Sequence, residues 1–175
     1  MPTLIRNGRI DIDDWRFVDP TDAWSIDDDR IVVPVEYALA HVDSLFDTDR
    51  EIGISAPGDT ELEVLAPLLA RLALIAIDFP AFNDGRGLSL AVLLRTRCQF
   101  RGELRAIGDV HTDLMHYLHR CGFDSCLLPD GRNAQTALRA LSSLSDFYQG
   151  SVRQPLPAFR RVDRGAAMVA VRNGI

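Results

Sequence analysis

A chain of 175 residues, 47% hydrophobic and 25% charged, has the composition of one ordinary globular domain. Its formal charge of −6, without a strongly basic run, excludes a general binder of nucleic-acid backbones. The longest apolar stretch, Val64 to Ile77, is interrupted by Pro67 and Arg71 and is too short to cross a bilayer.

The chain opens with LIRNGRI, in which Asn7-Gly8 lies between apolar and β-prone residues and signals a β-hairpin. Eight aspartates follow between Asp11 and Asp29, with Trp15, Phe17 and Trp24 among them. They lack the alternate-position frame, glycine and distal glutamate of a calcium loop. Residues 1–30 therefore read as an N-terminal hairpin and a solvated acidic loop with aromatic anchors.

From Ile31 strands and helices alternate. Ile31–Pro34 reads as a strand and Glu36–Phe46 as a helix, with Leu39, Val42, Leu45 and Phe46 at helical spacing. Ile52–Ser55 is the next strand. Thr60 to Glu63 matches a capping box, and the helix it opens is expected to run to about Leu72, kinked at Pro67. The continuous apolar run Leu74–Ile77 predicts a strand covered on both faces. A helix over Leu88–Arg97, a strand over Glu103–Ile107 and a helix over His111–Cys121 follow, the last closed by Gly122. Ser125–Leu128 is a strand and Ala134–Tyr148 a helix. These are about five β-α units over residues 31–150. They predict an α/β domain with a mostly parallel sheet and helices on both faces. Closing a barrel would take eight units and roughly 250 residues. An open three-layer sandwich is thus expected, with partial-barrel curvature as the alternative. Residues 151–175, rich in Pro and Arg and then apolar at Ala166–Val171, read as a C-terminal strap, tail or added edge strand.

One corner concentrates chemistry. DFPAFNDGRG, Asp78 to Gly87, stands where a strand hands over to a helix, and open α/β sheets hold ligands there. Two readings stand. In the structural one, Pro80 stiffens the exit, Asp84-Gly85 makes a tight turn and the glycines supply positive φ. In the other, the amides of Gly85, Arg86 and Gly87 and the Arg86 guanidinium accept a small oxyanion such as sulfate, sulfite or phosphate. Asp84 and Arg105 complete the ligand-binding candidates. Asp78 and Asp109 follow consecutive predicted strands and are the candidate catalytic pair, able as neighbours to serve as acid and base or to hold magnesium. The structural alternative has Asp109 capping the next helix and Asp78 paired with Arg86 or Arg105.

His111, His116, His119, Cys121 and Cys126 contain metal-ligating side chains, but helical spacing scatters them, so no metal site is expected. Cys98, Cys121 and Cys126 are an odd number of thiols. With a start, MPTLIRNGRI, that has no apolar core or cleavage site, they predict a cytoplasmic protein. No cofactor is expected: Gly85-Arg86-Gly87 lacks the third glycine of the dinucleotide fingerprint, and three cysteines are too few for an iron–sulfur cluster. No G-x-S-x-G nucleophile motif occurs.

IAIDFPAFNDGRGLSLAVLLR, FRGELRAIGDV, LHRCGFDSCLL and FYQGSVRQPLPAFRR together resemble the bacterial domain of unknown function 934 family, over about Ile31 to Arg161. Members often carry the label of an oxidoreductase involved in sulfite reduction. The resemblance implies an accessory factor of assimilatory sulfite reduction, with sulfite reductase or a related sulfur-assimilation protein as partner and a small oxyanion as ligand. The alternative is an enzyme acting on a small oxyanion or sulfur metabolite at the carboxyl edge of the sheet. Whether the protein is catalytic, and whether it forms a homodimer, the sequence leaves undecided.

Overall fold

The protein is described by a computed structural model over residues 2–22, 28–143 and 147–161. Trp24, the stretch 144–146 of the expected last helix and the apolar run Ala166–Val171 lie outside the described residues. Eight strands form one sheet: β1 (Thr3–Arg6), β2 (Arg9–Asp11), β3 (Arg16–Phe17), β4 (Arg30–Pro34), β5 (Glu51–Pro57), β6 (Leu74–Phe79), β7 (Glu103–Gly108) and β8 (Ser125–Leu128). Their spatial order is β2-β1-β8-β7-β6-β5-β4-β3. β3 to β8 are mutually parallel, while β1 pairs antiparallel with both β8 and β2.

The helices are α1 (Val35–Ala40), α2 (Val42–Leu45), α3 (Leu62–Leu65), α4 (Arg86–Thr96), α5 (Met115–Cys121), α6 (Ala134–Ser142) and α7 (Ala158–Arg161). Their placement corrects the expectation of helices on both faces. Each parallel strand from β4 to β8 is added beside its predecessor on the same side, so right-handed crossovers all pass over one face. The main core confirms the geometry. Ile54, Ile75, Ile77, Leu104 and Cys126 from alternate strand positions pack against Ala38, Leu65, Leu90, Leu94, Leu118 and Ala137 from the helices. A strand buried on both faces still reads as an apolar run, which is why β6 matched its expectation without revealing what covers each side.

The opposite face is covered by the N-terminal segment. Trp15 packs on Val32, Leu74 and Ala76 in a separate small cluster. Gly53 makes this possible, because a Cβ there would lie 3.2 Å from the Trp15 ring and 3.1 Å from Leu74. Beside Trp15 lies a layer of charge. Arg105 is fully buried and donates to Asp13 at 2.7 Å, to Glu103 at 2.9 and 3.0 Å and to Ser125 at 3.2 Å. Arg6 joins it through Asp11 at 2.9 Å and Glu103 at 3.4 Å. A buried guanidinium survives only when its donors find acceptors, and this one has three.

Two local expectations also change. The Thr60 hydroxyl donates to the Pro57 carbonyl at 2.8 Å instead of capping a helix, and α3 starts at Leu62 with no side-chain cap. α3 ends at Leu65 rather than kinking onward. The chain continues in tighter turns, Leu68 N–H to Leu65 and Arg71 N–H to Leu68, each 2.9 Å, because Pro67 has no N–H to extend the helical ladder. Gly122 closes α5 at φ 102°, its N–H and that of Phe123 reaching the His119 and Leu118 carbonyls at 3.1 Å.

Candidate functional site

The carboxyl edge of β5 to β8 holds most of the chemistry-bearing residues in two groups. The first surrounds the start of α4. The Asp84 amide donates to Ala81 at 3.0 Å, making the turn. Its carboxylate then accepts the Arg86 amide at 3.1 Å, the Arg86 Nε at 2.9 Å and the Arg86 NH2 at 2.6 Å. The remaining nitrogen, NH1, pairs with Asp59. The helix start is thus met by the chain's own carboxylate. The Arg86 hydrogen bonds pull the Asp84 carboxyl down to about 2, and the same bonds, with Asp59, raise the guanidinium above its usual range.

Glycine serves this corner by closeness, not by positive φ, which corrects the sequence reading. Gly85 has φ −85°, and Gly87 is not among the residues with positive φ. A Cβ on Gly87 would come within 2.8 Å of the Phe79 ring and 2.9 Å of Ile77, so α4 sits on β6 only with glycine there. A Cβ on Gly58 would lie 2.7 Å from the Gly87 nitrogen, and this approach delivers Asp59 to Arg86. The adjoining hollow of about 640 Å³ is lined by Asp59, Glu61 and Glu63 as well as Arg86 and Arg97.

The second group gathers on the far side of β6. Gly108, at φ 88°, turns the chain so that the Asp109 amide donates to the Phe79 carbonyl at 2.7 Å. Arg132 NH2 donates to His111 Nε2 at 2.6 Å and reaches Asp109 Oδ1 at 3.3 Å, while His111 Nε2 and Asp109 lie 3.2 Å apart. The exposed Phe82 ring rests 5.1 Å from the His111 ring. Asp109 therefore pairs with Arg132 and does not cap the next helix, whose first turn has no side-chain cap. Asp78, half-buried, is pushed above the usual carboxylate range by burial against one opposing hydrogen bond from the Phe79 amide. It pairs with neither Arg86 nor Arg105, and its contacts and those of Asp109 go to different groups. Arg105 is not at this edge at all: it belongs to the buried layer near the amino end of β7.

Sequence reasoning missed Asp59 and Arg132. The second carried a readable signal, since Asp130-Gly131-Arg132 repeats Asp84-Gly85-Arg86, each between a strand and a helix. Asp59 carried none, because its role rests on the Gly58–Gly87 approach. Among the described residues, no group of three or more His, Cys, Asp or Glu side chains could hold a metal, and no helix is long and apolar enough to cross a membrane. His116 stacks near Phe147 with centroids 6.2 Å apart, and Cys126 is buried.

These features define a mixed α/β protein with a mostly parallel sheet and polar groups along its carboxyl edge. The chain belongs to the family described as bacterial protein of unknown function (DUF934), whose family model matches residues 53–159. No curated protein matches the sequence.

Proposed function

We propose that the protein is an accessory factor of assimilatory sulfite reduction that holds a small oxyanion at the carboxyl edge of the sheet. One observation carries the binding position. Arg132 engages its neighbours through NH2 alone, so Nε and NH1 have no acceptor among the described residues. Two unpaired donors on a partly exposed cation suit a small oxyanion, each giving it a single charge-assisted hydrogen bond. His111 and the exposed Phe82 border the same place. The Arg86 corner, with the amides of Gly85 to Gly87, is the competing position. Arg86 already spends Nε, NH1 and NH2 on Asp84 and Asp59, so an anion there must displace Asp59.

Titration with sulfite, sulfate and phosphate, followed by NMR, separates these. Arg132→Ala abolishes the response, and Arg86→Ala leaves it. The reverse pattern moves the anion to the Arg86 corner. A parent protein that responds to none of the three ends the oxyanion reading. The accessory role is read separately, from whether the purified protein changes the rate of a sulfite reductase.

A second reading, an enzyme acting on a small oxyanion or sulfur metabolite, is favoured by Asp78. A carboxyl raised by burial at the end of a central parallel strand is a candidate for proton transfer.

A further inference from the structure

A separate cleft lies at the amino edge of the sheet, where α4 ends and the chain turns into β7. Two adjoining hollows, about 460 and 710 Å³, share Arg95, Thr96 and Val152. Residues 150–155 form one wall of the larger. That strap is held down by the Val152 amide donating to the Arg120 carbonyl at 3.1 Å and by Arg153 donating to Asp124 at 2.5 Å.

The smaller hollow is lined by Arg95, Arg101 and Arg153 and by a single carboxylate, Asp124. Asp124 is already shared: it pairs with Arg95 and Arg153 and accepts the Leu104 amide at 2.9 Å. Arg95 is consumed structurally, donating to the Gly122, Phe100 and Gly102 carbonyls at 3.0, 2.6 and 2.9 Å. Arg101, and the Nε and NH1 of Arg153, find no acceptor among the described residues. Burial lowers Arg95 below its ordinary value, and repulsion from Arg153 and Arg101 works in the same direction against the attraction of Asp124. In a chain of net charge −6, this is a local excess of positive charge with unused donors. The larger hollow continues from it with Val92, Tyr117, Cys121 and Pro155, and with Arg120. Tyr117 is 48% exposed, with the His116 ring centroid 4.1 Å from its own.

We infer that this cleft binds a small organic polyanion, with its charged group between Arg101 and Arg153 and an aromatic or apolar body along Tyr117 and Val92. Nucleoside phosphates have this build. Arg forks match phosphate oxygens, and an aromatic ring accepts a flat body at low entropic cost. Each hollow by itself is in the size range of small-molecule sites. The proposal is independent of the oxyanion position at the opposite edge.

The test is calorimetric titration with ADP, adenosine and inorganic phosphate, with the ADP complex mapped by NMR. ADP is expected to bind at least tenfold tighter than phosphate or adenosine, with shifts at residues 95–101 and 150–153. Arg101→Gln should weaken ADP binding tenfold or more while melting with the parent, because Arg101 has no structural partner to lose. Tyr117→Ala should weaken ADP but not phosphate, and Arg132→Ala should leave ADP binding unchanged. Failure of ADP to bind, an Arg101→Gln variant that binds like the parent, phosphate binding as tightly as ADP, or shifts centred on His111 would each overturn the inference.

Discussion

Asp13 and Arg105 are 92 positions apart in the chain and 2.7 Å apart in the fold. That one ion pair fastens the acidic N-terminal segment to the middle of the sheet. Arg105 is fully buried, so Arg105→Met leaves Asp13 and Glu103 facing each other without their cation. The loss should be about 3 kcal/mol, the low end for removing one partner of a buried ion pair, since both acids keep some solvent contact. Asp13→Ala should cost less, about 1.5 kcal/mol, because Glu103 and Ser125 still hold the guanidinium. Denaturant unfolding of both variants checks the order, and equal losses would mean that Asp13 alone carries the clamp.

Gly108 is held by two neighbours. At φ 88°, a Cβ would press on the Phe79 carbonyl and lie 2.5 Å from the Asp78 carboxylate. Gly108→Ala should therefore destabilise by more than about 1 kcal/mol. Gly85→Ala should be nearly neutral, since Gly85 has an ordinary φ and nothing within 4 Å of its Cβ position. Melting temperatures of the two variants test the contrast.

Asp78 and Asp84 should give opposite pH signatures. Burial raises Asp78, so its ionisation weakens the fold as pH rises from the unfolded carboxylate value through the folded one. Asp78→Asn should then be more stable than the parent at neutral pH, with the gain vanishing in acid. Asp84 is depressed to about 2 by Arg86. Its contribution is present above the unfolded value near 4 and is lost as pH falls through about 2, so Asp84→Asn should flatten stability in that window. Unfolding curves across pH, with carboxyl titration by NMR, decide both signs.

The three thiols should react at different rates. Burial pushes Cys126 up to about 12 and also raises Cys121, which keeps both protonated at neutral pH. Cys98 is half-exposed and should be alkylated first, and Cys126 only on unfolding. Mass spectrometry of timed alkylation reads the order. Fast labelling of Cys126 in the native protein would contradict its place in the core.

The sequence by itself determined the elements that depend on near neighbours. LIAI could only be a buried strand, SCLL matched β8 residue for residue, and Gly122 closed a helix because a left-handed cap favours glycine. The Asp84–Arg86 contact was within reach for the same reason, two positions apart at a helix start. Strand order was not. Alternating strands and helices are written alike whether the sheet grows in one direction or two, and only the consecutive pairing of β4 to β8 put the helices on one face. Asp59 meets Arg86 from 27 positions away because two glycines let their loops touch. Arg105 stood among the ligand-binding candidates, and the fold buries it instead. Its acceptors Asp13 and Ser125 come from distant segments, and Glu103, two positions away, shares its face only in the folded strand. Local pattern decides which backbone shape is affordable, whereas the pairing of charges depends on crossovers that bring remote segments into one low-dielectric layer.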